Sequence, residues 1–409
     1  MSPSSNLSMC FRRPSAPSTS KETAVIAAST IPHQLPANHI VIKVDRFGFS
    51  ANNITYQALG EQPHFRYYDF HPAPDAGNVS PKTHGLVPVW GFGTVVASSH
   101  PKIKSGERVY GYLAPCRYLL VPVSPSDVNK HAFYVPRPHL PADRRPYNQI
   151  IRCAADPEYT PTAQGEDLTM LYRPLFWTAY WFEDWMFSSN YRGATAFLIS
   201  SASAKTAFCA AYLIRKRRSR GESTHVKIFG LTSKRNVEFT KRLSLYDEVI
   251  EYDSFASSLG KEEKWVYVDV AGNDAFNKRL FQHLTEPSNK QQLLTSVTLG
   301  MTTLAPDNAS SFVWASNAGA SPEVKIESFF MPEWLNVRKH QLSVQEIFRR
   351  QKQAWEELMV DCVPWVQLEH VSGTEAVKKA YDEIATGGFS PDVGYIWSLW
   401  DEKKEGSKL

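Results

Sequence analysis

At 409 residues the chain exceeds one ordinary core and implies two domains of roughly 150 to 200 residues each. Apolar residues make up 43% and charged residues 21%, the balance of a globular protein, and the longest apolar runs fall short of the ~18 residues a membrane span needs. A net charge of +4 is too dilute to imply nucleic acid, so neither nucleic acid nor a membrane is expected as a partner.

Residues 1–22 open the chain with a Ser- and Pro-rich stretch that reads as a disordered tail. Segments 24–44 and 86–123 read as strands. In Leu86 to Ser98 the apolar positions are punctuated by Gly91 and Gly93, which favours bent strands, and Ser105-Gly106 supplies a turn before Arg108-Val109-Tyr110-Gly111. Together these predict a small twisted β-barrel. Residues 124–165 carry seven prolines and little periodicity, and read as an irregular surface segment. The aromatic run from Leu171 to Phe187 reads as a helix supplying core.

After residue 193 strands and helices alternate. A strand at Ala194 to Ser200 leads through SSASAKT to a helix over Ala207 to Lys216, whose basic end, Arg215 to Arg218, reads as solvated cations complementing the helix dipole. A strand at Val226 to Phe229 follows, then a helix from Val237 to Leu243 and strands at Glu248 to Glu251, Trp265 to Val270 and Leu293 to Leu299. Buried strands alternating with helices predict an α/β fold with a doubly wound parallel sheet, which binds ligands where its strand order reverses. The chain closes with a helix over Glu375 to Ile384, a Gly387-Gly388 break and a strand from Gly394 to Trp400.

Five cysteines, at 10, 116, 153, 209 and 362, form no CxxC pair, and an odd, scattered count points to a reducing, cytoplasmic compartment. Common structural zinc sites need closer ligand spacing.

The order of barrel, doubly wound domain and closing helix and strand resembles the medium-chain dehydrogenase/reductase superfamily over about residues 24–400. Asn52-Asn53-Ile54-Thr55-Tyr56 through Gly60 looks like that superfamily's Asn-containing loop facing the nicotinamide. Gly91-Phe92-Gly93-Thr94-Val95 with Ser105-Gly106-Glu107-Arg108-Val109 resembles its barrel pattern, and Thr374 to Gly388 its closure. The phrases VPVWGFGTVVAS, RPLF and SSASAKTA look like an uncharacterised branch grouped only as a domain of unknown function. The resemblance implies a GroES-like twisted β-barrel domain (23–170 and 345–409) plus a Rossmann nucleotide-binding domain (171–344). It also implies a zinc-free reductase of the quinone or enoyl type, since Cys116 stands alone and the histidines of the first segment lack suitable partners.

On that resemblance, the loop Ser200 to Ala207 is expected at the cofactor pyrophosphate, where Ser201, Ser203, Lys205 and Thr206 are the binding candidates. The loop has no glycine, so any backbone position needing positive φ becomes costly. Lys205-Thr206 matches the end of a P-loop whose glycines are missing. Ser233, Lys234 and Arg235 follow the second strand and bear the hydroxyl and cationic groups that suit a 2′-phosphate, pointing to NADPH; a solvated, self-capped helix start is the competing reading. Gly272 and Gly300 are expected near the ribose and nicotinamide. Tyr56 is the candidate proton donor, with Asn53 beside it as a catalytic candidate and Tyr67 and Tyr68 as alternatives; ordinary barrel packing is the competing reading for all three tyrosines. The expected activity is NADPH-dependent reduction of an enone, enoyl or quinone substrate, apolar enough to suit secondary metabolism, by a protein that resembles homodimeric relatives. The alternative is a cofactor-free protein that binds, isomerises or cyclises a small molecule, and a scaffold is a third reading.

Overall fold

In the computed structural model, which describes residues 5–17, 22–63, 65–222, 226–260, 262–286, 292–300 and 324–402, contacts divide the chain into two units. One comprises residues 1–171 and 352–409, the other residues 172–351.

The first unit runs through β1 (Ser5–Arg12), β2 (Ala24–Thr30), β3 (His39–Phe49), α1 (Ala51–Ala58), β4 (His84–Gly85), β5 (Val89–Ser98), β6 (Arg108–Leu113) and β7 (Tyr118–Pro122). It continues with β8 (Ala132–Tyr134), α2 (Arg145–Asn148) and β9 (Gln149–Arg152), and ends with β16 (Gln367–Ser372), α10 (Thr374–Gly387) and β17 (Val393–Ser398). Eight strands make the GroES-like sheet, in the order β16-β17-β3-β5-β6-β9-β8 with β7 paired to β3. Its bend is written into β5. The β3 and β5 registers shift at Val41/Ile42 and Val44/Arg46, and a Cβ on Gly93 would lie 2.6 Å from the Lys43 carbonyl oxygen.

Two expectations are corrected here. Residues 5–12 are not a disordered tail: β1 pairs antiparallel with β2 and β4, and Met9, Cys10 and Phe11 are fully buried. Pairing with distant strands supplies an order that its Ser-rich composition hides. The proline-rich stretch is likewise not irregular throughout, because β8 and β9 pair with each other and β9 with β6. Its prolines fall mostly outside these short strands, where no ladder donor is lost.

The chain passes along α3 (Ala163–Phe187), on which Tyr172, Phe176, Ala179, Phe182 and Met186 recur at helical spacing and are buried. The second unit continues with β10 (Ala196–Ile199), α4 (Lys205–Ser219), β11 (Lys227–Thr232), α5 (Val237–Arg242), β12 (Glu248–Glu251), α6 (Phe255–Ser258), β13 (Lys264–Asp269), α7 (Asp274–Leu284), β14 (Gln292–Thr298) and β15 (Ile326–Ser328). Helices α8 (Met331–Gln341) and α9 (Val344–Asp361) follow. Every pairing in the sheet β12-β11-β10-β13-β14-β15 is parallel, so the order reverses between β10 and β13. Leu198, Phe229, Trp265, Tyr267 and Phe276 centre its core. All four residues of β10 are fully buried, the pattern of a strand covered on both faces.

The basic run does end α4, but it is not simply solvated. Arg217 pairs with Glu183 at 2.7 Å and Glu222 at 2.8 Å and lies over the Phe187 ring, while Arg218 pairs with Asp247. No described helix is long and apolar enough to cross a membrane.

Candidate functional site

The loop after β10 is pinned before α4 begins. Ser200 is fully buried; its Oγ accepts from Val270 N at 2.9 Å and Ala271 N at 3.0 Å and donates to Asp269 Oδ1 at 3.2 Å. Ser201 takes φ +48°, the left-handed region that glycine normally fills, at a cost of roughly 1 kcal/mol. Its N–H donates to the Tyr252 hydroxyl at 2.7 Å, and its carbonyl accepts from Ala204 N at 2.7 Å. The turn therefore keeps the shape of a glycine turn without the glycine.

Helix α4 then starts with Ala204 as N-cap, which has no side-chain oxygen and makes no capping bond. By helix geometry the first-turn amides, including those of Lys205 and Thr206, have no intrahelical acceptor, and alanine is among the poorest residues at this position. Lys205 is partly exposed and has no ion-pair partner among the described residues. Crowding by protein strips water from its ammonium and lowers its pKa to about 8, with Cys209 acting in the opposite direction. An uncapped helix start beside an unpaired cation is suited to an anion.

The neighbouring loop meets this one where Asn236 Nδ2 donates to Ser203 Oγ at 3.0 Å. Strand β11 ends at Thr232, buried with its hydroxyl unmatched among the described residues, and Ser233 precedes the short turn of Lys234 to Asn236 without capping it. Lys234 and Arg235 are exposed, and neither meets a carboxylate among the described residues.

At the reversal point Asp269 organises the remaining candidates. Its carboxylate accepts from Asn277 Nδ2 at 2.7 Å and from Gly272 N at 2.9 Å, and its carbonyl accepts from Gly300 N at 3.1 Å. Burial pushes its carboxyl pKa up, against the pull of these donors. Ser201, Ser203, Lys205, Thr206, Ser233, Lys234, Arg235, Gly272 and Gly300 thus all lie at the carboxyl ends of β10, β11, β13 and β14, within one unit. Ser200, Asn236, Tyr252 and Asp269 were not singled out from sequence. Asp269 carried a usable signal, a lone acid ending an apolar strand, whereas Tyr252 acts only through the fold.

The other candidates belong to the first unit. Asn53 is spent on the backbone: its Oδ1 accepts from Ser50 N at 2.8 Å in a capping box, and its Nδ2 donates to Pro88 O at 3.0 Å. It fixes the start of α1 and so places Tyr56 one turn later. The buried Tyr56 ring lies against Tyr67, with centroids 4.4 Å apart, and edge-on to Tyr112 at 5.7 Å. Burial pushes the Tyr56 phenol well above its ordinary pKa, offset in part by polar groups of Asn52, Tyr112 and Trp90. Tyr68 is a packing residue; its ring lies where a Cβ on Gly60 or Gly85 would fall, and Arg13 covers it at 5.1 Å. Among the described residues no group of three or more His, Cys, Asp or Glu side chains is arranged to hold a metal ion.

Residues 47–390 match the model of a family described as "Protein of unknown function (DUF2855)". No curated protein sequence matches the chain. Among solved structures, CurA from Vibrio vulnificus in complex with NADPH is 10% identical with a TM-score of 0.55, the alignment covering 97% of this chain and 100% of that one. The quinone oxidoreductase from Coxiella burnetii is 12% identical with a TM-score of 0.53, covering 96% and 99%. A mutant of Etr1p in complex with NADP and crotonyl-CoA is 14% identical with a TM-score of 0.52, covering 96% and 99%. At such identities the likeness is one of fold, a GroES-like sheet plus a Rossmann sheet.

Proposed function

The chain belongs to the DUF2855 family, and from that membership and its fold we propose that it is a zinc-independent, NADPH-dependent reductase of a quinone or of an activated carbon–carbon double bond in an enone or enoyl substrate. The observation that carries the reading is the conjunction of an uncapped α4 start beside Lys205 with Lys234 and Arg235 on the adjoining loop, neither of which meets a carboxylate among the described residues. Two separate anion-seeking clusters on neighbouring strand ends suit a nucleotide with a pyrophosphate and a further phosphate.

In this reading the first-turn amides of α4, Lys205 and the Ser203 hydroxyl hold the pyrophosphate, with Thr206 and the Ser201 hydroxyl at its edge. Ser233, Lys234 and Arg235 take the 2′-phosphate, and Gly272 and Gly300 leave room for ribose and nicotinamide. Bound NADPH supplies the hydride. Tyr56, kept protonated at neutral pH by its burial, supplies the proton that completes the reduction, and Asn53 positions the helix that carries it. Hydride and proton together convert the double bond to a saturated one, or the quinone to its hydroquinone.

One observation favours a second reading, a cofactor-free binding or isomerising protein: the loop has no glycine and the Ser201 N–H is already taken by Tyr252. NADPH consumption with a panel of enones, enoyl thioesters and quinones tests the first. Turnover of at least one substrate, reduced about tenfold or more in Tyr56→Phe, is expected; turnover of none contradicts it.

A further inference from the structure

The rings around Tyr56 form a box whose polar tips are donors. Trp90 lies 4.9 Å from Tyr112 and 6.3 Å from Tyr147, and Tyr112 lies 5.0 Å from Tyr147, centroid to centroid. Tyr67 and Phe70 continue the wall, with Phe70 edge-on to Tyr112 at 5.3 Å. Tyr112 is 1% exposed, whereas Trp90, Tyr147 and Asn52 are only half-buried, so the box reaches the surface along these three.

Within it, the Trp90 indole N–H and the Tyr112 hydroxyl are inaccessible to water and complete no hydrogen bond among the described residues. Both approach the Tyr56 hydroxyl closely enough to favour charge on its oxygen, yet neither reaches bonding geometry. Indole N–H only donates, and a buried donor left unmatched costs about 1–3 kcal/mol. Unmatched buried donors also occur singly elsewhere, on Tyr68, Trp265 and Trp397, but here two of them face a third hydroxyl. An oxygen with several lone pairs would satisfy all three.

We infer that Trp90 Nε1, the Tyr112 hydroxyl and the Tyr56 hydroxyl form a subsite for the carbonyl or enolate oxygen of a flat, conjugated ligand whose ring system stacks in the aromatic box. This deepens the reductase reading and rests on it for the chemistry, since an oxygen held there becomes more negative as hydride adds to the conjugated system. It selects aryl or cyclic conjugated ketones and quinones over aliphatic substrates. Trp90 and Tyr112 act as specificity residues, and no nucleotide is needed for the oxygen to bind.

The test therefore omits nucleotide. 4-Nitrophenol, a flat ring whose phenolic oxygen ionises near neutral pH and whose absorption band reports hydrogen bonding to it, is titrated into the full-length protein. Binding with a band shift is expected, weakened about fivefold, roughly the worth of one hydrogen bond, in both Trp90→Phe and Tyr112→Phe. Tyr112→Phe keeps its ring and Trp90→Phe keeps an aromatic one, and cooperative thermal unfolding no lower than wild type with unchanged NADPH binding separates lost contact from lost fold. Absence of binding to the wild-type protein, or equal binding by all three proteins, overturns the subsite. Failure of NADPH to bind while 4-nitrophenol still binds through Trp90 and Tyr112 overturns the reductase reading alone and leaves the oxygen subsite standing.

Discussion

The loop after β10 and the box around Tyr56 treat their polar groups in opposite ways. In the loop, Ser200 Oγ, the Ser201 amide and the Asp269 carboxylate all have partners within 3.2 Å, and the groups left unpaired among the described residues are the charges of Lys205, Lys234 and Arg235 and, at the end of β11, the Thr232 hydroxyl. In the box the unmatched groups are neutral, buried and central. A satisfied backbone with free charges at its edge suits binding of a charged ligand to a rigid frame. Neutral donors held away from water suit an oxygen whose charge develops during reaction, where a low local dielectric makes each contact count for more.

Substitutions can break this contrast. The largest effect is expected at Asp269→Ala, which strands the Asn277 amide, the Gly272 N–H and the Ser200 hydroxyl; a loss of about 3 kcal/mol in urea unfolding would fit, and a loss under about 1 kcal/mol would show that the network is not what holds the loop. Lys205 gives a pH signature of its own. Its ammonium loses its proton near pH 8 in the free protein, and a bound phosphate favours the charged form, so NADPH affinity should fall as pH rises through about 8. Calorimetry at pH 7 and pH 9 should show a drop of up to about tenfold, absent in Lys205→Met. A smaller change of the opposite sign is expected at Ser201→Gly, where relief of the left-handed strain should stabilise the protein by about 1 kcal/mol. The smallest belongs to the box: Tyr112→Phe removes a buried hydroxyl that completes no bond among the described residues, so denaturant unfolding should show a gain of up to about 1 kcal/mol rather than a loss.

The same contrast explains what the sequence disclosed. Strands β10, β11 and β13 are short runs of mostly apolar, buried residues, the pattern of strands covered on both faces, and that pattern is local, so the parallel sheet and its strand-end loops could be read directly. The loop's missing glycine was visible, and so was its consequence, since Ser201 does adopt positive φ. How the strain is tolerated was not visible, because Tyr252 stands 51 residues away. Strand β1 was hidden by a Ser- and Pro-rich context and exists through its partners β2 and β4. Helix α1 read as a loop because Asn52, Asn53, Ile54 and Thr55 are weak helix formers; the Ser50 and Asn53 capping box, three residues apart, was the signal that could have revealed it. Tyr56 was found by its place after Asn53, while Trp90 and Tyr112 come from other strands and meet it only in the folded barrel.

Calorimetric titration of the full-length protein with NADPH and with NADH, beside the Lys234→Ala, Arg235→Ala double variant, tests the central claim most directly. Micromolar NADPH binding, weaker NADH binding, and a loss of about 1–3 kcal/mol for NADPH in the double variant with little change for NADH are expected. Failure of either nucleotide to bind, or equal NADPH affinity in the wild type and the double variant, would contradict it.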